Sequence, residues 1–284
     1  CIRDRAWSHA IGGSPDLNDE NRSTPETVDL SSPYIEKAIS LDPNMSDIYV
    51  VKAFLKLYSQ SRIQDAKEDV ELAFEINSWP RIPTKYCICT AVSVYIALND
   101  GAKALEVAQL AKEIDPEHVF YDRDLGNIAI LEGNYSKAQE HFQESIRKAD
   151  HPFFHTFLGL SFLYDEQYEE ALQYLNRAYE MSSPGLRMAV SGLSNVYFRL
   201  GDMEKSDYYL HELLERREAG EHHLNLVIAN IYLERNEISK AMDFLELAVE
   251  NSEFGLPVFL KLLPKFKTLE NEPRFEKVLD KIQG

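Results

Sequence analysis

The sequence predicts an all-α fold: an α–α superhelix of about six tandem helix-turn-helix units with a C-terminal helical cap. Three observations predict it. Small residues recur at near-constant spacing along most of the chain. A second small residue precedes each by seven positions, with a large apolar residue between them. From Tyr34 onward, short helix-period segments alternate with Gly, Asn, Asp-Pro or Ser-Pro breaks, and no strand-like alternation interrupts them.

The first series is Ala38, Ala73, Ala111, Ser145, Ala178, Leu213 and Ala248, at spacings of 35, 38, 34, 33, 35 and 35. The earlier partners are Ala66, Ala104, Ala138, Ala171, Ser206 and Ala241, and the large residues between include Val70, Phe142, Leu175, Leu210 and Leu245. Small-x3-large-x2-small puts all three on one helical face. The small residues let a neighbouring helix come close and the large one fills the gap. A fixed period of this length marks a repeat architecture. Leu213 stands where a small residue is expected, so that helix pair should splay. The longer spacing around Asn77-Ser78-Trp79-Pro80 implies an extra turn.

In chain order, residues 1–5 (Cys1-Ile2-Arg3-Asp4-Arg5) resemble the translation of a sequencing adapter and are expected to be a scar, with a true N-terminus upstream. Residues 6–33 read as a helix remnant, broken at Gly12-Gly13, followed by a polar Pro-, Ser- and Asn-rich linker. Residues 34–250 form the repeat array, whose first full repeat is 46–78. Asp42-Pro43 and Asp115-Pro116 close two second helices, since Pro cannot continue them. Residues 251–284 read as a cap in which Phe266, Leu269, Phe275, Val278, Leu279 and Ile282 cover the last apolar face.

The helix-pair pattern is clearest in Leu125-Gly126, Gly133, Tyr135, Ala138, Phe142 and Ser145. It repeats in Leu158-Gly159, Phe162, Tyr168, Ala171, Leu175 and Ala178. These motifs resemble the tetratricopeptide repeat. The closing Leu263-Pro264 … Phe266 … Leu269 … Pro273-Arg274-Phe275 and the phrase Ile35-Glu36-Lys37-Ala38-Ile39-Ser40-Leu41-Asp42-Pro43 resemble tetratricopeptide regions at the C-terminus of bacterial signalling proteins. The heads of those proteins are DNA-binding domains, nucleotide cyclases or Ser/Thr kinases, and this chain carries no such head.

Composition narrows the function classes. Of 284 residues, 44% are hydrophobic and 27% charged, so wholly disordered chains are excluded. Lys plus Arg number 30 and Asp plus Glu 47, a net charge of −17. A nucleic-acid backbone would be repelled by that field. No apolar run is long enough to span a membrane. The 3 Cys do not make a disulfide scaffold. Cys87 and Cys89 read as buried packing thiols, which favours a reducing, cytoplasmic compartment; the periplasmic face of a membrane-anchored regulator is the alternative.

No catalytic, metal or cofactor constellation emerges. His211-Glu212 opens like a zinc-protease motif but lacks the second His. His151 and His155 have no third ligand, and His222-His223 face different ways. Asp165-Glu166 and Glu169-Glu170 read as exposed helix ends. The expectation is a non-catalytic protein.

The resemblance implies that the first helix of each pair lines a concave groove. Its inward positions form a ring of Tyr86, Phe120, Phe153 and Met188. A second ring holds Asn127, Asn195 and Asn230, with Ser93 and Leu160 in matching slots. A third contains Ile96, Ile130, Leu163, Phe198 and Leu233, and Arg123 and Arg199 add positive charge. An Asn amide both donates and accepts, so it can pair with any peptide backbone. Arg123 lies one turn before Asn127, and peptide-carboxylate clamps in this repeat family use a similar pairing. The same residues equally fit packing between adjacent repeats. The expected function is recognition of a protein or peptide segment in the groove, as the sensory part of a bacterial regulator; a stand-alone scaffold or assembly protein is the alternative.

Overall fold

The computed structural model describes residues 2–11, 22–76, 85–114, 116–182 and 185–283. Every regular element among them is helical. Helix α1 (Ile2–Ile11) packs against α2 (Thr24–Leu41). Six helix pairs follow: α3 (Ser46–Ser59) with α4 (Ile63–Ile76), α5 (Lys85–Ala97) with α6 (Gly101–Ile114), and α7 (Val119–Leu131) with α8 (Tyr135–Lys148). Then come α9 (Pro152–Tyr164) with α10 (Tyr168–Met181), α11 (Arg187–Arg199) with α12 (Met203–Glu218), and α13 (Asn225–Glu234) with α14 (Ile238–Glu250). The chain ends in α15 (Leu256–Leu262), a 3-10 turn (Pro264–Leu269) and α16 (Pro273–Gln283).

Both small-residue series are buried. Ala66, Ala104, Ala138, Ala171, Ser206 and Ala241 are fully covered, as are Ser145, Ala178 and Ala248. Against them sit Phe142, Leu175 and Leu245, also fully covered. The Leu-Gly pairs answer the large residues from the partner helix. A Cβ on Gly126 would lie 2.5 Å from the Phe142 ring, and one on Gly159 would lie 2.7 Å from Leu175 Cγ. Each Gly is therefore the socket for the large residue of the second helix.

The turns inside the five pairs from α5–α6 to α13–α14 follow one rule. A residue in the left-handed region closes the first helix at Asn99, Gly133, Glu166, Gly201 and Asn236. The next N–H donates back to a carbonyl five residues earlier, as in Asn134 to Ala129 at 2.8 Å and Gln167 to Phe162 at 2.9 Å. Asp100, Asn134 and Asp202 then cap the second helix through side-chain oxygens that accept from Lys103, Lys137 and Lys205 N–H groups. Leu213 is fully buried in its small-residue slot, yet α11 and α12 pack as closely as α13 and α14, so the splay expected within that pair is not seen; the sparse packing is between α12 and the following α13. The Asn77–Pro80 stretch, Gly12-Gly13 and the side chains of Tyr86 and Cys87 lie outside the described residues.

The linker reading of residues 14–33 needs correction from Thr24 onward. Residues 24–33 belong to α2, whose buried stripe is Thr24, Thr27, Ser31, Ile35 and Ala38. Ser23 caps the helix, Pro25 sits in the first turn where no N–H is needed, and Pro33 lies on the exposed side. The polar stripe hid the helix. Two of its hydroxyls are satisfied one turn back along the chain, Thr27 Oγ1 donating to the Ser23 carbonyl at 3.1 Å and Ser31 Oγ to the Thr27 carbonyl at 2.7 Å. Helix α1 adds Ala6 and Ala10 to the same N-terminal core.

One superhelical turn brings the two ends of the array together. Thr24 Oγ1 donates to the Asn251 carbonyl at 3.0 Å, across 227 residues. The cap reading of 251–284 holds in part. Helix α16 packs on α14, and Arg274 pairs with Glu246 and Asp243. The preceding α15 instead lies inside the superhelix, against α3, α5 and α7, and the 3-10 turn lies against α13.

Candidate functional site: the concave face

The inner face is built by the first helices, with α3, α5 and α7 packed in sequence and α9, α11 and α13 packed in sequence. Its α3–α5–α7 part is covered by the chain itself. Phe254, Leu256, Val258, Phe259, Leu260, Leu262, Leu263, Phe266 and Leu269 are all buried there or beside it. Phe254 stacks on Tyr58 with ring centroids 4.9 Å apart and lies 6.0 Å from Phe54. The Gly255 N–H donates to the Tyr58 carbonyl at 2.9 Å.

Residues singled out from sequence occupy three settings. Phe120 and Phe153 are half-buried at the N-terminal rim of α7 and α9, each ring about 6 Å from Phe154. Asn127, Asn195 and Asn230 are buried, at 8%, 3% and 5% exposure, so they are not an open ladder of amides. Arg199 is exposed and pairs with Glu234 of the next first helix.

The Arg123/Asn127 clamp is corrected by the structure. Arg123 is ion-paired with Asp124, and its guanidinium carbon lies 4.7 Å over the Phe120 ring. Burial alone would lower its pKa, but the adjacent Asp124 carboxylate holds it above its ordinary value. Burial in turn raises the Asp124 pKa against the pull of Arg123. A cation so neutralised is not free to take a peptide carboxylate. Beside the pair, Tyr58 donates to Ser93 Oγ at 2.7 Å, and burial pushes the Tyr58 hydroxyl up to about 12. Cys89, expected to be buried, is half-buried near this cluster.

The α9–α11–α13 part of the inner face carries a different row. Leu160 and Tyr164, Asn195 and Arg199, and Asn230 and Glu234 are each four residues apart, hence on one face of their helices. The Tyr164 hydroxyl and Asn195 Oδ1 are buried and lack a hydrogen-bond partner. Burial drives the Tyr164 hydroxyl far above its ordinary pKa, so it stays protonated as a donor. Sequence reading found Asn195, Asn230 and Arg199. It missed Tyr164 and Glu234, although the 35-residue steps from Tyr164 to Arg199 to Glu234 place them in one register.

The weak metal motifs dissolve into structural roles. His155 Nε2 meets Asp150 Oδ1 at 2.6 Å, and His151 Nδ1 accepts from the Phe153 N–H. Glu212 pairs with Arg216 and accepts from Tyr179. Among the described residues no group of three or more His, Cys, Asp or Glu could hold a metal, and no helix is long and apolar enough to cross a membrane.

His223 does more. Its Nδ1 accepts from the Phe254 N–H at 3.1 Å and its Nε2 donates to the Arg22 carbonyl at 2.9 Å. It thus ties the N-terminal segment to the C-terminal one. Burial lowers its pKa to about 3, so the ring is neutral. Next to it, buried Glu253 accepts from Asn225 N–H, Asn225 Nδ2 and Leu226 N–H at 2.7–2.9 Å, capping α13 from 28 residues away. Neither role was legible in the sequence, because both partners are distant.

A family model described as tetratricopeptide repeat matches residues 123–185 and 158–210. No curated protein sequence matches the chain. Among solved structures, a tetratricopeptide repeat protein from Parabacteroides merdae is similar at 17% identity over 92% of this chain and 99% of that one, with a TM-score of 0.54. The PilF protein of Pseudomonas aeruginosa is similar at 16% identity over 84% and 98%, TM-score 0.53. A monomeric mutant of IFIT1, solved with m7Gppp-AAAA, is similar at 13% identity over 99% of this chain and 70% of that one, TM-score 0.65. The chain folds as a tetratricopeptide-repeat solenoid, and residues 123–210 carry that repeat's sequence pattern.

Proposed function

We propose that this protein is a non-catalytic protein–protein interaction module that recognises a partner segment on its concave face. The observation that carries this reading is the row on α9, α11 and α13. There, buried Asn195 Oδ1 and the Tyr164 hydroxyl lack partners, beside the Arg199–Glu234 pair. Buried polar groups are normally satisfied, and an unsatisfied acceptor and donor on adjacent inner helices suit a peptide backbone. The net charge of −17 favours a protein partner over a nucleic acid.

The C-terminal signature supports a finer reading as the sensory part of a bacterial regulator, working in the cytoplasm. Partner binding would then shift an attached head between states by differential affinity. The second reading is a stand-alone scaffold or assembly factor, favoured by similarity in fold to PilF and to a type IV pilus biogenesis factor, PilW. Reading the native gene upstream of the Ala6 codon separates the two. A DNA-binding, cyclase or kinase domain there supports the regulator, and a nearby start codon or secretion signal supports the scaffold.

The groove reading is tested by capturing a partner with wild-type protein and repeating the capture with Asn195→Ala/Arg199→Glu. The variant should keep its helical circular dichroism and lose that partner. A partner bound equally by both would place recognition elsewhere.

A further inference from the structure

We propose that the concave face is a receptor for an apolar helical segment, and that the chain's own residues Glu253–Leu269 occupy it as an exchangeable intramolecular ligand. The inference goes beyond the groove reading above, because α15 covers the α3–α5–α7 part of the face and the polar row lies on α9, α11 and α13. Its consequence is that the module is closed at rest and takes a partner segment of the same chemistry by exchange.

Two polar anchors bracket the segment. At its start, Glu253 caps α13, the Phe254 N–H donates to His223, and the Gly255 N–H donates to Tyr58. At its far end, Arg274 pairs with Glu246 and Asp243 on α14, in contacts open to solvent. Between the anchors, residues 256–269 make no hydrogen bond or ion pair to the array among the described residues. Their hold is apolar, through buried side chains such as Leu256, Phe259, Leu260 and Phe266. A seven-residue helix seated in a groove by its apolar side chains is a helix-in-groove ligand.

The α7–α8 and α9–α10 junctions are filled by the array's own residues, while the segment's apolar side chains join one continuous core with the array. Its small and large residues are satisfied pair by pair, as in Phe142 against Gly126 and Leu175 against Gly159. In a repeat solenoid each unit is held by its neighbours. The ligand class follows from the occupant: an apolar helix opening with Leu-Pro, carrying aromatic and leucine anchors and one charge, Lys261, half-buried at the edge. Tethering gives the chain's own segment a high effective concentration. A partner segment therefore competes only when the anchors loosen or when it binds more tightly.

The test cuts the folded full chain at a protease site introduced in the exposed Asn251–Ser252 turn. The nicked protein is then mixed with a fluorescent synthetic peptide of residues 253–284. Anisotropy reads exchange and circular dichroism reads the array. The expected result is a nicked array that stays helical and takes up the labelled peptide, while uncut protein takes up none. The same peptide carrying Phe259→Asp should bind at least about tenfold more weakly. Unfolding of the array on cutting would overturn the proposal, as would a folded nicked array that keeps its original segment for days in excess peptide. In either case, loss of the captured partner on Asn195→Ala/Arg199→Glu still reports separately on the function proposed above.

Discussion

Helices α7–α10 and the segment Glu253–Leu269 both bury large apolar side chains, but they do so by opposite means. In α7–α10 the large side chains are met by local, periodic sockets: Phe142 enters the space left by Gly126, and Leu175 the space left by Gly159, one repeat later. The segment is aperiodic. Its α15 reaches α3 and α5, whose residues lie far earlier in the chain, and is joined to them by apolar surface and a few polar anchors. The difference teaches where rigidity lies. A socket repeated at each junction makes the array strong through nearest neighbours. A segment held at two points adds closure without carrying the array.

The sharpest way to break this comparison is to empty a socket. Phe142→Ala should cost about 3–5 kcal/mol, since the ring is fully buried against a glycine and the cavity cannot collapse. Phe259→Ala should cost no more than release of the segment. Further substitutions at Leu256 or Phe266 should then add little, whereas Phe142→Ala and Leu175→Ala should keep adding. Denaturant titration of the singles and multiples reads this. Continued additivity in the segment would make it part of the array's core.

A smaller effect comes from overfilling. Ala138→Leu or Ala171→Leu should cost roughly 1–3 kcal/mol, because each Ala is fully covered at a helix crossing. Thermal unfolding that leaves either variant unshifted would mean the crossing has room to spare. Asn127→Ala belongs to a milder class. The side chain is buried, yet its Oδ1 has no partner, so its loss should cost about 1 kcal/mol or less.

The anchor at His223 makes a pH prediction. Its folded pKa is lowered from 6.5 to about 3 by burial, with Arg187 and His222 adding repulsion. The unfolded chain therefore binds this proton first as pH falls. The stability that neutral His223 gives is present above about pH 6.5 and is lost progressively towards pH 3. Glu253, whose pKa burial raises, works in the opposite direction and stabilises on protonation. His223→Asn should flatten the melting temperature between pH 6.5 and pH 4 relative to wild type. An unchanged slope would assign the acid sensitivity to other groups.

The smallest effect sharpens the turn rule. Glu166 holds φ +60 in the slot that Gly133 and Gly201 fill elsewhere. Glu166→Gly should raise stability by about 0.5 kcal/mol, the relief of left-handed strain being partly offset by the freedom Gly gains when unfolded. A lower melting temperature would show that the Glu166 side chain contributes more than its backbone costs.

The sequence by itself determined the repeat: its period, the small-large-small face, the turns at Gly133 and Gly201, and the irregular slot at Leu213. These were legible because they depend on residues within one or two repeats, where spacing maps directly onto a helical face. It also placed Asn195, Arg199 and Asn230 on the inner helices. It misread Thr24–Pro33 as linker because Thr27 and Ser31 bury their hydroxyls by bonding one turn back along the chain, which composition does not reveal. The run Leu256–Leu263 was apolar on nearly every side, a sign of full burial rather than of a cap with one covered face. What it is buried against was decided only by tertiary structure. The superhelix must first complete a turn before Thr24 meets Asn251, His223 meets Phe254, and the groove exists for the segment to fill.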